Sequence, residues 1–180
     1  MPHELAELFG DLDESTRLHS LRVADLCEAM ARQAGWSDER IRAVRTAALL
    51  HDIGKLAVPS GILFKPGPLT DREKLIVMTH PQAGFEVVSD FGLPADICHA
   101  VLAHHVNADG SGYPHVAPDT LSSLLHVADV YDAITSERCY RHPATTEKAV
   151  RYMLDGAGTL FDEKWAKGLA RLESEREKGL

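Results

Sequence analysis

The apolar run Ala47-Ala48-Leu49-Leu50 closes on His51-Asp52, and Ile53, Gly54 and Lys55 follow at once. An apolar helix that ends in this way carries an imidazole and a carboxylate into or beside the core. Leaving either without a partner there is expensive. Any fold of this chain must therefore bring something polar to this point. That is either a hydrogen-bonded His-Asp pair at a helix end, or a metal ion, for which neutral imidazole and carboxylate are both good ligands.

The surrounding chain reads as helices. Residues 13–34 form one, with Leu18, Leu21, Val23, Leu26 and Met30 at roughly helical spacing and Gly35 as its stop. His19 lies inside it, three residues before Arg22. Ser37 caps the next helix, and Asp38 and Glu39 sit at its positive end. Its buried stripe, Ile41, Val44, Ala48 and Leu49, delivers His51 and Asp52. Val58-Pro59 and Lys65-Pro66-Gly67-Pro68 mark a loop. Thr70 and Glu73 form a capping box for a helix running to His80, where Pro81 imposes a kink or a restart.

Leu93-Pro94 opens a helix in which Ile97, Ala100, Val101 and His104 share one face. His105 is about 100° around from His104, so the two can converge only near a helix end. The turn formers of 107–114 supply that end. Residues 121–134 form a helix with Leu121, Leu125, Ala128 and Asp129 close to one face, and 145–154 form another, stopped by Gly156. Asp132, Arg138, Tyr140 and Arg141 read on their own as a solvated face. Residues 173–178 read as the exposed end of a last helix. With no strand pattern, repeat or low-complexity linker, the expectation is an all-α fold in a single domain over 1–180.

Composition narrows the partners. A net charge of −8 disfavours a nucleic-acid polymer or an anionic membrane as partner. Cys27, Cys98 and Cys139 form no CxxC pair, so neither a disulfide framework nor a thiolate zinc site is expected. No signal peptide or membrane span is visible, which suits a cytoplasmic protein. The candidates that remain are His19, His51, Asp52, His80, His104, His105 and Asp129. Five imidazoles and two carboxylates are too many for one ion and suit two, with one carboxylate bridging. A nitrogen and oxygen set without thiolate favours iron or manganese over structural zinc. Two ions about 3.5–4 Å apart are a common arrangement for hydrolysing phosphate esters.

The ordered series resembles the HD-GYP family of HD-domain phosphohydrolases. It comprises His19-x-x-Arg22-Val23, His51-Asp52-Ile53-Gly54-Lys55, Lys65-Pro66-Gly67, His80-Pro81-x-x-Gly84 and His104-His105. It continues with Asp109-Gly110-Ser111-Gly112-Tyr113-Pro114, Ala128-Asp129-x-x-Asp132-Ala133, Arg138-x-Tyr140-Arg141 and Phe161-Asp162. The resemblance implies an HD-domain helical bundle and a bacterial phosphodiesterase of cyclic di-GMP, giving linear pGpG, with further cleavage to GMP left open. It implies His19, His51, Asp52 and Asp129 as ligands of one ion. Asp52, His80, His104 and His105 would hold the other, with Asp52 bridging. It implies phosphate contacts from Lys55, Asp132, Arg138 and Arg141, a nucleotide contact from Tyr113, and catalytic parts for Asp52 and Lys55. A diguanylate cyclase or another regulatory protein is a partner class compatible with it.

This sequence departs from the family pattern at Val106-Asn107-Ala108, where members usually carry Glu-Arg-Trp. The loop after Pro114 is also short. Ser15 stands where some members have a glutamate that holds a third ion, and Glu14 is one residue off, so two ions are expected. Two rival readings stay open. One is the same chemistry on another cyclic dinucleotide or a nucleoside phosphate. The other is a non-catalytic module that binds metal and ligand.

Overall fold

The computed structural model describes residues 2–136 and 142–179. Ten α-helices follow one another: α1 (His3–Asp11), α2 (Glu14–Gln33), α3 (Asp38–Leu50), α4 (Ser60–Leu63), α5 (Asp71–Val77), α6 (His80–Asp90), α7 (Ala95–Ala103), α8 (Thr120–Thr135), α9 (Thr146–Asp155) and α10 (Glu163–Lys178). A 3-10 turn, Ile53–Ala57, links α3 to α4. Among the described residues there is no strand, only isolated bridges joining Val106 to Gly112 and Ala157 to Phe161. The all-α expectation holds, and among the described residues no helix is long and apolar enough to cross a membrane.

Short polar side chains set where the helices start. Asp13 caps α2, Ser37 caps α3, Thr145 caps α9 and Asp162 caps α10, each accepting from a backbone N–H of the first turn. Thr70 and Glu73 form the expected reciprocal box at α5. The chain does restart at His80, with Pro81 in the first turn of α6, where its missing N–H costs nothing. Two elements had no clear sequence signal: α1, and α4 within the stretch read as a loop.

Two apolar clusters result. The larger joins α2, α3, α8, α9 and α10 through residues such as Val23, Met30, Val44, Leu124, Met153 and Trp165. Trp36 meets Trp165 edge-on, with ring centroids 5.2 Å apart, and ties α10 to the α2–α3 corner. The smaller joins Leu5 and Leu12 of the N-terminal segment to Leu50, Ile53, Val88 and Val101. His51 and Asp52 fall between Ala48, in the first cluster, and Ile53, in the second.

One stripe differs from its sequence reading. In α2 the inward face is Ser20, Val23, Ala24, Cys27, Met30 and Ala31, whereas Leu18 and Leu21 are 48% and 40% exposed. At about 100° per residue, a helix that turns Val23 and Cys27 toward α3 and α8 must turn Leu18 and Leu21 away. The helix α5 likewise buries none of its residues, and Leu75 is 63% exposed.

The closest backbone crossing lies between the 3-10 turn and α6. A Cβ on Gly54 would run into the His80 carbonyl oxygen and the Gly84 amide nitrogen, neither of which can swing aside. This crossing holds His51-Asp52 against His80. Replacing Gly54 with alanine should therefore cost about 3 kcal/mol of stability. Urea unfolding of Gly54→Ala beside the unmodified protein measures it; equal midpoints would mean the crossing is not tight.

Candidate metal centre

The seven candidate ligands arrive from five elements. The second turn of α2 supplies His19. The end of α3 supplies His51 and Asp52, and α6 begins with His80. His104 and His105 follow the last residue of α7, so the expected helix end is where they converge. Asp129 comes from α8. All are buried except His105, which is half-buried.

Three of the histidines are fixed by the ends of the helices they follow. His51 Nδ1 donates to Ala48 O at 2.7 Å, His80 Nδ1 to Val77 O at 2.7 Å, and His104 Nδ1 to Val101 O at 2.6 Å. Each carbonyl belongs to the last turn of a helix and lacks its intrahelical partner. Because a carbonyl only accepts, Nδ1 carries the proton and Nε2 presents a bare lone pair.

Those lone pairs converge without satisfying one another. His80 Nε2 stands 3.2 Å from His104 Nε2. Each oxygen of Asp52 faces a different imidazole: Oδ2 is 3.4 Å from His51 Nε2, and Oδ1 is 3.4 Å from His80 Nε2. His51 Nε2 is buried with no hydrogen-bond partner among the described residues. Acceptors facing acceptors in a dry site are repulsive unless a cation stands among them. The nitrogen and oxygen donors fit a divalent ion. Two triads, His19-His51-Asp129 and His80-His104-His105, each hold their ligand atoms within 4.8 Å of one another, and a third, His51-Asp52-His104, lies between them.

The environments of the individual groups separate their protonation. Burial holds His80 and His104 below the ordinary imidazole range, and it holds His105 down at about 3 against the pull of Asp129. All three are therefore neutral, as ligands must be. His19 is the exception. Burial would lower it, but Asp129 Oδ1 at 2.9 Å and Asp132 Oδ2 at 2.7 Å take both ring N–H groups and push it up to about 9. Asp129 would be raised by burial, yet the His19 hydrogen bond and the surrounding imidazoles hold it well below the usual carboxylate range.

The substrate-side candidates divide. Lys55 Nζ lies 2.6 Å from Asp52 Oδ2, beside the cluster. The Tyr113 ring packs 4.8 Å from that of His105, and its hydroxyl is pushed up to about 12 by burial and by the nearby carboxylates of Asp129 and Asp52. Gly112 aims it. Its φ of +96° and its contact with the His105 carbonyl oxygen leave no room for a Cβ. Asp132 is expected from the sequence to contact phosphate; in the structure its oxygens are taken by His19 and by two donors of Arg22, at 2.7 and 2.9 Å, which places it behind a candidate ligand. Arg138 and Arg141 lie outside the described residues, as does Cys139. Neither Glu14 nor Ser15, both in the first turn of α2, belongs to a ligand triad among the described residues.

Two supporting residues were missed from the sequence. Arg22 enters the sequence reading as a neighbour of His19 and within the motif His19-x-x-Arg22-Val23, without a role, although the three-residue spacing places both on one helix face. His126 was not singled out at all. Its Nδ1 donates to His104 O at 2.8 Å, fastening the end of α7 to α8. Its position three residues before Asp129, on the same face, was the available signal. At the Val106-Asn107-Ala108 departure the backbone N–H groups of Asn107 and Ala108 donate to Ser111 O and Leu160 O, bonds any residue there could make, while the Asn107 side chain itself donates from Nδ2 to Ser111 Oγ at 2.9 Å.

Two outcomes follow for metal binding. A cation at His19 must expel a proton held there up to about pH 9, so affinity should rise about tenfold per pH unit from pH 6.5 and level off above 9. In the metal-free protein the sign is opposite: the stabilisation from His19 is complete below the ordinary pKa of 6.5 and is lost as pH rises through about 9. Chelator competition and thermal melting across that window measure the two. Asp132→Ala should weaken metal binding by about 10–100-fold, the scale for removing an outer partner of a ligating histidine. Unchanged affinity would return Asp132 to the substrate.

The sequence model of the HD domain family matches residues 6–165. A cyclic di-GMP phosphodiesterase of Pseudomonas aeruginosa is 44% identical over 154 residues, which are 81% of this chain and 36% of that protein. The 3'3'-cGAMP-specific phosphodiesterase 1 of Vibrio cholerae is 34% identical over 154 residues, 83% of this chain and 36% of that one. This chain thus spans about a third of the length of either relative. The HD domain of the L. monocytogenes phosphodiesterase PgpH, solved with cyclic-di-AMP, superposes with a TM-score of 0.72 over 98% of this chain and 96% of its own, at 21% identity. That likeness speaks for the fold.

Proposed function

Because the chain belongs to the HD-domain family and carries the HD-GYP motif series, we propose that it hydrolyses cyclic di-GMP at a centre of two divalent ions. One observation carries the binuclear reading. Asp52 presents one oxygen to the His51 side and the other to the His80 side, as a bridging carboxylate would. On this reading His19, His51, Asp52 and Asp129 would hold one ion, and Asp52, His80, His104 and His105 would hold the other. Iron or manganese suits this donor set best. Such ions supply an activated water and withdraw charge from phosphoryl oxygens.

The remaining work falls to the protein. Asp132 and Arg22 keep His19 oriented. His126 keeps the end of α7 in place, so that adjacent histidines reach the same centre. Lys55 balances the charge of Asp52 and carries the ammonium that would meet a phosphoryl oxygen as charge builds there. Tyr113 forms a wall beside His105 where the nucleotide would lie. Arg138 and Arg141 would add bidentate grips on phosphate. Opening one 3' phosphodiester gives linear pGpG, and a second cleavage gives GMP. The relative specific for 3'3'-cGAMP supports one alternative substrate, a mixed cyclic dinucleotide, with the same chemistry.

Protein reconstituted anaerobically with iron or manganese should bind two ions per chain and convert cyclic di-GMP to pGpG. Asp52→Ala should lose most metal and all turnover. Lys55→Ala should keep its metal and lose turnover by a factor of about 100 or more, the scale for one charged transition-state donor. Elemental analysis with chromatography of products decides both. Full metal content and full activity in Asp52→Ala would sink the bridging assignment, and loss of metal in Lys55→Ala would make that lysine structural.

A further inference from the structure

Next to Lys55 lies a cleft of about 150 Å³ between the α1–α2 link, the 3-10 turn and α4. None of the candidate metal ligands lines it. Leu56, Val58, Leu63 and Phe64 make its apolar walls, and Asp11 stands among them as an acid. A protein cavity of about this size accepts a single aromatic ring. Two of the walls face water: Phe64 is 58% exposed and Leu56 is 41% exposed. An aromatic face shown to solvent at the rim of a cleft is an unused stacking surface.

Lys55 belongs to both places. Its ammonium sits 2.6 Å from Asp52, and the residue also lines the cleft. A phosphodiester gripped by Lys55 at the cluster would bring a flanking nucleoside within reach of the mouth of the cleft.

The acid is held ready. Arg17 Nη1 donates to Gly10 O at 2.6 Å and to Leu12 O at 2.7 Å, fastening the backbone on either side of Asp11. Asp13, close by, spends its carboxylate capping α2, where Oδ1 accepts from Thr16 N at 3.0 Å. The Asp11 carboxylate makes no hydrogen bond or ion pair with any described residue, so its two oxygens remain as acceptors. Guanine offers such a carboxylate two adjacent donors, the N1–H and the exocyclic amine, in a charge-assisted pair. Adenine offers a lone pair at N1, which a carboxylate repels.

We infer that this cleft is the nucleobase subsite, where Phe64 stacks on a base and Asp11 selects guanine over adenine. The inference rests on the cyclic-dinucleotide reading above. The test measures kcat/KM on cyclic di-GMP and cyclic di-AMP for the metal-loaded protein, Asp11→Asn and Phe64→Ala. The unmodified protein should prefer cyclic di-GMP. Asp11→Asn should lower the guanine-over-adenine ratio by about tenfold or more, because an amide pairs with adenine and loses the charge. Phe64→Ala should raise KM about tenfold on both substrates with kcat little changed, the pattern for a lost stacking contact.

An unmoved ratio in Asp11→Asn, or no guanine preference in the unmodified protein, overturns the subsite while cyclic dinucleotides are still cleaved. If the unmodified protein cleaves bis(p-nitrophenyl) phosphate but neither cyclic dinucleotide, the parent reading fails and the subsite falls with it. The two failures are thus told apart.

Discussion

Lone pairs that face one another in a space closed to water are the constraint on which this molecule depends. Nothing in the described protein satisfies the Nε2 atoms of His51, His80 and His104, and Asp52 adds negative charge among them. The metal-free chain manages that charge with what it has. Lys55 leans on Asp52, and an imidazolium at His19 spans Asp129 and Asp132. Both arrangements hold a positive charge where a cation would otherwise stand. The rest of the fold supplies rigidity. Two apolar clusters grip the His51-Asp52 corner from either side, and a backbone crossing at Gly54 and Gly84 leaves α6 no freedom to drift.

The neighbourhood is layered outward from the ligands. His19 is backed by Asp132, Asp132 by Arg22, and Arg22 is half open to solvent, so a chain of charge runs from the buried centre to the surface. On the far side, His126 braces the carbonyl of His104, while the 157–161 loop accepts the N–H groups of Ala108 and Asp109 and so steadies the turn that carries Tyr113. Removal of a supporting side chain in either layer would act on the candidate ligands through their orientation.

Much of this was legible in the residue order, because it is local. The N-cap residues Asp13, Ser37, Thr70 and Thr145 mark their helices whatever packs on them, and Pro81 forces a restart wherever it falls. The clustering of His51, Asp52, His80, His104, His105 and Asp129 was visible because each sits at a helix end or on an apolar face, where a polar group needs a reason. What sequence missed is tertiary. The outward turn of Leu18 and Leu21 depends on which partners α2 meets. The retreat of Asp132 behind His19 depends on a bond across 113 residues of chain, which neither periodicity nor a family motif reports. The convergence of the adjacent candidates His104 and His105 was readable only because glycines and a proline announce the end of α7.

The three bonds from Nδ1 to the helix-end carbonyls have a consequence for timing. Each is made by a ring to its own last turn, three residues back, so these imidazoles acquire the correct tautomer as soon as their helices form. The incoming ion then meets donors that have nothing left to rearrange. Beyond them, the proton on His19 and the grip of Lys55 stand in the way of a cation, so the tempo of loading would be set at those two contacts, at the edge of the cluster.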